Sequence, residues 1–182
     1  MHSDDPDALL HGRRALLKAA LAGWLTAGAL RAPAVHANDL RVGAPAPPAT
    51  LVTLEGKSIS TTELLGQVVI LTFWATWCEP CREELPLLSD YATKHAAQGL
   101  AVLGFGLDTP ERMADVRKVA AGLHFPVGLL ANSRASGYGR IWRLPVSFTI
   151  DRAGRLVEDG WKEKVPSFTP ERLEQLVTPL LG

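Results

Sequence analysis

The stretch that decides the fold runs from Val68 to Cys81 and reads VVILTFWATWCEPC. Its first part, Val68 to Ala75, is a continuous run of β-branched, aromatic and other apolar residues, typical of a central strand buried on both faces. From Pro80 to about Ala97 the apolar residues recur at spacings of about 3.6, which predicts an amphipathic helix. The pattern therefore places a Cys-x-x-Cys pair where a buried strand gives way to a helix.

Cysteines at a helix N-terminus have a specific chemistry. Unpaired backbone N–H groups and the positive end of the helix dipole stabilise an anion, so they lower the pKa of the Cys78 thiol and populate its thiolate. Cys78 is then the candidate nucleophile. Cys81 lies about one turn deeper on the same face and can attack a mixed disulfide formed by Cys78. Pro80 fits this first turn because it has no backbone N–H to lose.

The elements predicted on either side of this stretch describe an α/β sandwich with a mixed central sheet flanked by helices. In chain order they are a small N-terminal β-hairpin over 50–60, a buried strand over 100–107, a helix opening at Pro110 with Thr109 as its cap, a short strand over 127–130, a helical connector over 136–143, a hairpin formed by 146–150 and 155–158, and a helix over 170–181 capped by Thr169.

Composition excludes several classes of protein. Of the 182 residues, 47% are hydrophobic and 21% are charged, which is typical of a globular domain and not of a disordered or fibrous chain. Lys and Arg total 19, as do Asp and Glu, so no net charge favours nucleic acid or an anionic membrane surface. Cys78 and Cys81 are the only two cysteines, too few for a disulfide-stapled scaffold.

The N-terminus has the features of an export signal. Arg13-Arg14 and Lys18 precede an apolar stretch over 19–30, and Ala34-Val35-His36-Ala37 follows as a small-residue cleavage site. The apolar stretch spans about 18 Å as a helix, too short for the roughly 30 Å hydrocarbon core. We therefore expect a cleavable signal peptide over 1–37, of twin-arginine or general-secretory type, and a periplasmic domain over 38–182.

Two segments resemble a known family. Residues 73–86, FWATWCEPCREELP, are similar to the active-site segment of extracytoplasmic thioredoxin-like proteins of the TlpA/ResA type, and residues 144–151, LPVSFTID, to the family's cis-proline segment. The resemblance implies a thioredoxin-like fold and thiol-disulfide exchange through a redox-active Cys78–Cys81 disulfide, with no other cofactor. It also implies a membrane-fed reductant in cytochrome c maturation or oxidase assembly.

The resemblance assigns individual roles by position. The candidate catalytic residues are Cys78, Cys81, Glu84 and Pro145, and the candidate substrate-binding residues are Trp77, Glu79, Pro80 and Leu144. Of these, the resemblance carries over Glu84, Leu144 and Pro145 individually. Glu84 is expected to tune a thiol pKa or to relay a proton to Cys81. The cis bond of Pro145 would place the backbone of Leu144 beside the sulfurs, where it can pair with an extended substrate.

The chain also departs from related patterns. Thr72 stands where cytosolic thioredoxins carry a buried Asp, so Glu84 or Glu79 must supply any assisting carboxylate. Arg143, preceded by Trp142, replaces the small residue that the family usually has two positions before the cis-proline. We expect the Arg143 side chain to be solvated.

Other functions fit the residues less well. Structural zinc needs about four ligands. Besides the cysteines, the domain offers only His95 and His124, and their spacing does not match that of zinc ligands. We expect His95 on a solvated helix face and His124 in a loop. An inert disulfide over so short a loop would stabilise the fold little. A peroxiredoxin-like peroxidase would need a Pro near Leu71, and a copper-binding chaperone would need a Cys-x-x-x-Cys pair with a nearby His or Met, for which only Met113 remains after cleavage.

The partners that follow from the leading hypothesis are proteins. We expect a disulfide-bonded protein substrate, such as an apocytochrome or an oxidase assembly factor, and a membrane thiol reductase as electron donor. Neither nucleic acid nor a resident metal is expected. The domain is expected to be a monomer.

Overall fold

A five-stranded mixed sheet forms the centre of residues 40–182, the part of the chain that the computed structural model describes. The strands in chain order are β1 (Thr50–Val52), β2 (Ser58–Ser60), β3 (Val68–Trp74), β4 (Leu100–Gly106), β5 (Val127–Leu129), β6 (Val146–Ile150) and β7 (Leu156–Asp159). In the sheet they lie in the order β5-β4-β3-β6-β7. β3, β4 and β5 are parallel, whereas β6 and β7 are antiparallel to their neighbours. β1 and β2 form a separate antiparallel hairpin.

Helices cover one face of this sheet. Their bounds are α1 (Glu79–His95), α2 (Met113–Ala120), α3 (Pro170–Leu176) and α4 (Thr178–Leu181). One apolar cluster joins side chains of these helices to the sheet, and a second lies on the opposite face, where Leu51 of β1 and Tyr138 pack. The predicted mixed sheet flanked by helices, with an N-terminal hairpin, is confirmed.

Burial on both faces explains the composition of β3. Val68, Ile70 and Trp74 pack toward the helices, and Val69, Leu71 and Phe73 pack into the opposite cluster. All seven residues of the strand are buried. Because successive side chains of a strand point to opposite faces, a strand in the middle of a covered sheet needs apolar residues at nearly every position. By the same alternation, the buried Thr72 lies on the helix-facing side of the strand, between Ile70 and Trp74.

Three predicted helical segments are shorter or less regular than expected. Pro110–Arg112 forms a 3-10 turn, and the Thr109 side chain makes no capping hydrogen bond there. The connector contains only the 3-10 turn Ser136–Tyr138, which ends at Gly139 with φ of 83°. The C-terminal helix is interrupted at Val177, because Pro179 cannot donate the hydrogen bond that a continuous helix needs. The Thr169 cap is present and accepts from the backbone N–H of Arg172 at 3.2 Å.

The expectation that His95 is solvated is wrong. Its side chain is buried and its ring lies 4.3 Å from that of Tyr91, centre to centre. The 3-10 turn Ala96–Gln98 follows directly, and a 2.5 Å hydrogen bond joins His95 Nδ1 to Gln98 Oε1. The 3-10 turn thus covers His95, on a face of α1 that the pattern of apolar residues predicts to be polar and exposed. His124, in contrast, lies in a loop as predicted.

The predicted export signal over 1–37 lies outside the described residues. Within residues 40–182 no helix is both long and apolar enough to cross a membrane.

We predict that Gly128→Ala destabilises the fold strongly. A Cβ at Gly128 would lie 1.9 Å from the backbone oxygen of Val52, so β1 would have to move away from β5. The expected loss in the free energy of unfolding is about 2 kcal/mol or more, measured by urea denaturation. Gly106→Ala is the matched control on β4, because its Cβ would meet no atom closer than 3.5 Å. Equal losses for the two variants would contradict the packing described.

Candidate functional site

The cysteine pair lies at the start of α1. Cys78 is the N-cap residue, and its Sγ accepts a hydrogen bond from the backbone N–H of Cys81 at 3.3 Å. A disulfide joins the two sulfurs. Cys78 is 6% exposed and Cys81 is 1% exposed, so Cys78 is the sulfur nearer to solvent. Cys78 is therefore the outer and Cys81 the inner member of the pair.

Asp108 anchors the loop that carries the pair. The backbone N–H of Thr76 donates to Asp108 Oδ2 at 2.8 Å, and the Thr76 hydroxyl donates to Oδ1 at 2.6 Å. Asp108 is buried and follows β4, which lies beside β3. Sequence reasoning missed this residue. Its position after β4 could have indicated this role, because the carboxyl ends of adjacent parallel strands such as β3 and β4 lie at the same edge of the sheet.

A groove of about 350 Å³ runs past Cys78. One side is formed by residues 77–80 and the other by residues 141–144, with Leu107 between them. Trp77 and Trp142 are 62% and 72% exposed, so two indole rings stand open at its rim. The peptide bond between Leu144 and Pro145 is cis, as the resemblance implies. Trp77, Glu79, Pro80 and Leu144 therefore share one groove with the reactive sulfur, and the buried Pro145 adjoins it.

Arg143 holds the cis-proline segment in place instead of pointing into solvent, so that expectation is wrong. Its guanidinium donates to the backbone oxygens of Gly160 and Glu163. It also lies over the rings of Trp142 and Trp161, at 5.6 and 5.9 Å from their centres, and the two rings stack on each other at 5.5 Å. The backbone oxygens that it binds lie about 20 residues away, so no local pattern indicates them.

Glu84 is a buried carboxyl on the helix that begins at the cysteine pair. It is 3% exposed and lies three residues after Cys81, on the same face of α1. Its Oε1 accepts from the Ser147 hydroxyl at 3.4 Å, and its Oε2 has no hydrogen-bond partner among residues 40–182. Burial raises the pKa of Glu84 to about 8, although the backbone of Phe168 and the Ser147 hydroxyl partly offset this effect. Glu84 is thus largely protonated at neutral pH.

The other expected polar groups lie elsewhere. Glu79 is exposed at the groove and does not reach the buried side of the pair. In the described part of the chain, no group of three or more His, Cys, Asp or Glu side chains could hold a metal ion. His124 instead interacts with Ser89, whose hydroxyl accepts from the His124 backbone N–H at 2.8 Å.

Comparisons with known sequences agree on one kind of protein. A model of the AhpC/TSA family matches residues 42–158. A thiol-disulfide oxidoreductase ResA of Bacillus cereus is 33% identical over 145 residues, covering 78% of this chain and 82% of the relative. The protein of that name from Bacillus subtilis (strain 168) is 29% identical over 121 residues, covering 66% and 68%.

Solved structures show the same similarity. A putative thiol:disulfide interchange protein DsbE from Chlorobium tepidum superposes with a TM-score of 0.65 at 30% identity, covering 79% of this chain and 99% of that one. A thioredoxin family thiol:disulfide interchange protein from Chlorobium tepidum TLS superposes with a TM-score of 0.63 at 27% identity, with the same coverage. The predicted thioredoxin-like fold is confirmed.

The raised pKa of Glu84 predicts how stability varies with pH. The folded chain keeps a proton that the unfolded chain releases above about pH 4.5, so the contribution of Glu84 to stability is complete below that pH and is lost as the pH rises through about 8. Glu84→Gln stays neutral, and the oxidised variant should lose less stability than the wild type between about pH 5 and about pH 9. The difference approaches about 5 kcal/mol at most, since one pKa unit corresponds to about 1.4 kcal/mol.

Urea unfolding of the oxidised protein across this pH range checks the prediction. Glu83→Gln is the matched control, because Glu83 is the exposed neighbour in the same turn of α1. The burial of Glu84 is contradicted if both variants keep the pH dependence of the wild type.

Proposed function

Because the chain belongs to the AhpC/TSA family and is a thiol-disulfide oxidoreductase of the ResA type, we propose that it reduces disulfides of proteins outside the cytoplasm. The observation that carries this proposal is the order of the two sulfurs, with Cys78 on an open groove and Cys81 behind it. The residues between them are Glu79 and Pro80. Strongly oxidising relatives typically carry a His between the cysteines, which over-stabilises the reduced thiolate, and this chain has none there.

The proposed reaction starts from the dithiol form. The Cys78 thiolate attacks one sulfur of the substrate disulfide, that disulfide breaks, and the other substrate sulfur leaves and takes up a proton. Cys81 then gives up its proton and attacks Cys78 Sγ. This step re-forms the Cys78–Cys81 disulfide and releases the second substrate thiol. Two electrons and two protons reach the substrate, and a membrane thiol reductase is the donor that we propose restores the dithiol.

Glu84 is suited to handle the proton of Cys81. Its pKa of about 8 in the oxidised protein is close to that of an ordinary thiol, about 8.5, so a proton can pass between the two groups at little cost. An exposed carboxylate would be too weak a base for this step near neutral pH. The burial of Glu84 is therefore what supports its assigned role.

The groove supports an extended peptide as substrate. Leu144 lies just before β6, and we assign its backbone N–H and C=O to pairing with substrate backbone, a contact that is independent of side-chain identity. Trp77 and Trp142 would cover the substrate on either side of its cysteine and exclude water from the exchanging sulfurs. An apocytochrome or an oxidase assembly factor would present such a segment.

Export is supported by the features of residues 1–37, and we place the protein in the periplasm, where disulfides persist and a reductant has substrates.

A peroxidase is the alternative within the same fold. We disfavour it because Leu71 stands where a peroxidatic site would have a Pro.

We predict that Cys81→Ser traps substrates and that Cys78→Ser does not. Without the inner sulfur the mixed disulfide on Cys78 cannot be resolved, so covalent adducts should accumulate and disappear on treatment with dithiothreitol. The chain with residues 1–37 retained, expressed in its own host, should yield these adducts in the periplasmic fraction. Mass spectrometry of the adducts then identifies the substrates.

Cys78→Ser is the matched control, because it keeps one thiol in the same turn of α1. Equal trapping by the two variants would reverse the assigned roles of the sulfurs. Adducts confined to the cytosol would contradict the proposed compartment. Turnover of hydrogen peroxide without any adduct would favour the peroxidase.

A further inference from the structure

A largely buried ion pair, Glu158–Arg172, lies close enough to Glu84 to affect its charge, and its members are far from the cysteines in sequence. We propose that Glu158 and Arg172 are positioning residues that determine when Glu84 takes up and releases its proton during thiol exchange. The functional part of this inference rests on the proposed function. The electrostatic part concerns the folded, oxidised protein alone.

The pair is held rigidly. Arg172, in the first turn of α3, forms an ion pair with Glu158 on β7, whose side chain is 3% exposed. The second oxygen of Glu158 accepts from the Thr149 hydroxyl at 2.7 Å. The Arg172 guanidinium also donates to the backbone oxygens of Val165 and Ser167, at 2.5 and 3.2 Å. Burial raises the pKa of Glu158, but its two donors, Thr149 and Arg172, act against that effect and favour the charged carboxylate.

Strand β6 connects this pair to Glu84. Ser147 and Thr149 are two residues apart, so their side chains share the face of β6 that is turned toward the helices. Ser147 donates to Glu84, and Thr149 donates to Glu158. Two residues of a strand span about 7 Å, and the two carboxyl groups are therefore neighbours on one buried surface.

Helix α3 closes the same cluster from the other side. Phe168 precedes the helix, and its backbone faces the carboxyl of Glu84. Its ring lies 5.1 Å from the guanidinium carbon of Arg172. The elements α1, β6, β7 and the start of α3 thus meet at one place, and the charged groups that face Glu84 there are Arg172 and Glu158.

These two charges act on Glu84 in opposite directions. The positive charge of Arg172 favours the ionised form of Glu84 and lowers its pKa, whereas the negative charge of Glu158 raises it, with the attraction to Arg172 the larger. Burial remains the dominant effect on this pKa, with Glu158 acting in the same direction as burial and Arg172 against it. Because Glu84 and Glu158 are buried and Arg172 is only partly exposed, salt and water screen these interactions less than they would at the surface.

The arrangement suits a role in controlling charge better than a role in stability alone. A buried ion pair contributes little net stability, because the cost of removing two charges from water offsets their attraction. Apolar side chains could join β7 to α3 equally well. Glu84 carries a protonated carboxyl and lies three residues after Cys81. Next to it, the opposite charges of Glu158 and Arg172 keep its proton exchangeable near neutral pH.

The test is a titration of the Glu84 carboxyl by ¹³C NMR in the oxidised protein, with the resonance assigned from its absence in Glu84→Gln. We expect Glu158→Gln to shift the Glu84 midpoint down and Arg172→Gln to shift it up, each by about half a pH unit or more. A role confined to packing would loosen the cluster in both variants and shift the midpoint in one common direction. Shifts of the same sign, or no shift in either variant, would overturn the proposal.

Controls separate loss of charge from loss of structure. Arg172→Lys keeps the positive charge and should restore most of the wild-type midpoint. Glu163→Gln is the matched control for Glu158, because Glu163 also contacts Arg172, at 3.2 Å, but does not face Glu84. It should leave the midpoint unchanged. If Arg172→Gln does not fold, the direction for Glu158→Gln decides alone, with a fall supporting the proposal and a rise or no change overturning it.

A second measurement links the cluster to the reaction. The pH at which Cys81 releases a model mixed disulfide on Cys78 at half its maximal rate should shift in the same direction as the Glu84 midpoint in each variant. If the NMR midpoints shift as expected and the rate profiles do not, the electrostatic coupling stands and the assigned role of Glu84 in the proposed function fails. If the NMR midpoints do not shift, the coupling itself is wrong.

Discussion

The start of α1 is the constraint on which the rest of the structure depends. Cys78 caps the helix through its own sulfur, and Asp108 at the end of the neighbouring strand holds the preceding loop through Thr76. The position of the disulfide is thus set by the edge of the parallel sheet instead of by a flexible loop. Cys78 lines the groove at that edge, and the buried carboxyl of Glu84 follows on the same helix.

The two sides of the disulfide have opposite physical character. On the groove side, exposed indole rings and the segment before Pro145 offer an apolar, extended surface, and Arg143 secures that segment by binding backbone oxygens. On the buried side, Glu84 keeps its proton because burial outweighs the neighbouring donors and Arg172. The proposed substrate groove and the proposed proton-transfer group thus belong to different sides of the same helix start.

Local patterns predicted much of this structure. The apolar run of β3 and the cysteine spacing specify a strand, a turn and a helix, because each of these is decided by neighbours in sequence. Contacts between distant segments were not predictable. Glu84 was assigned a role through the resemblance, but no local pattern indicated its burial or the nearby charge of Arg172 from the third helix. Arg143 was expected in solvent because its acceptors follow much later in the chain. His95 was misplaced for the same reason, since a turn beyond α1 covers it.

The central claim is that this disulfide belongs to a reductant, and the reduction potential of the Cys78–Cys81 couple tests it most directly. Equilibration of the purified domain with glutathione or thioredoxin at pH 7, with the thiol and disulfide forms quantified by alkylation, measures this potential. We expect a value below about −200 mV, in the range of glutaredoxins and thioredoxin. A value near −120 mV, characteristic of strong oxidants, would contradict it.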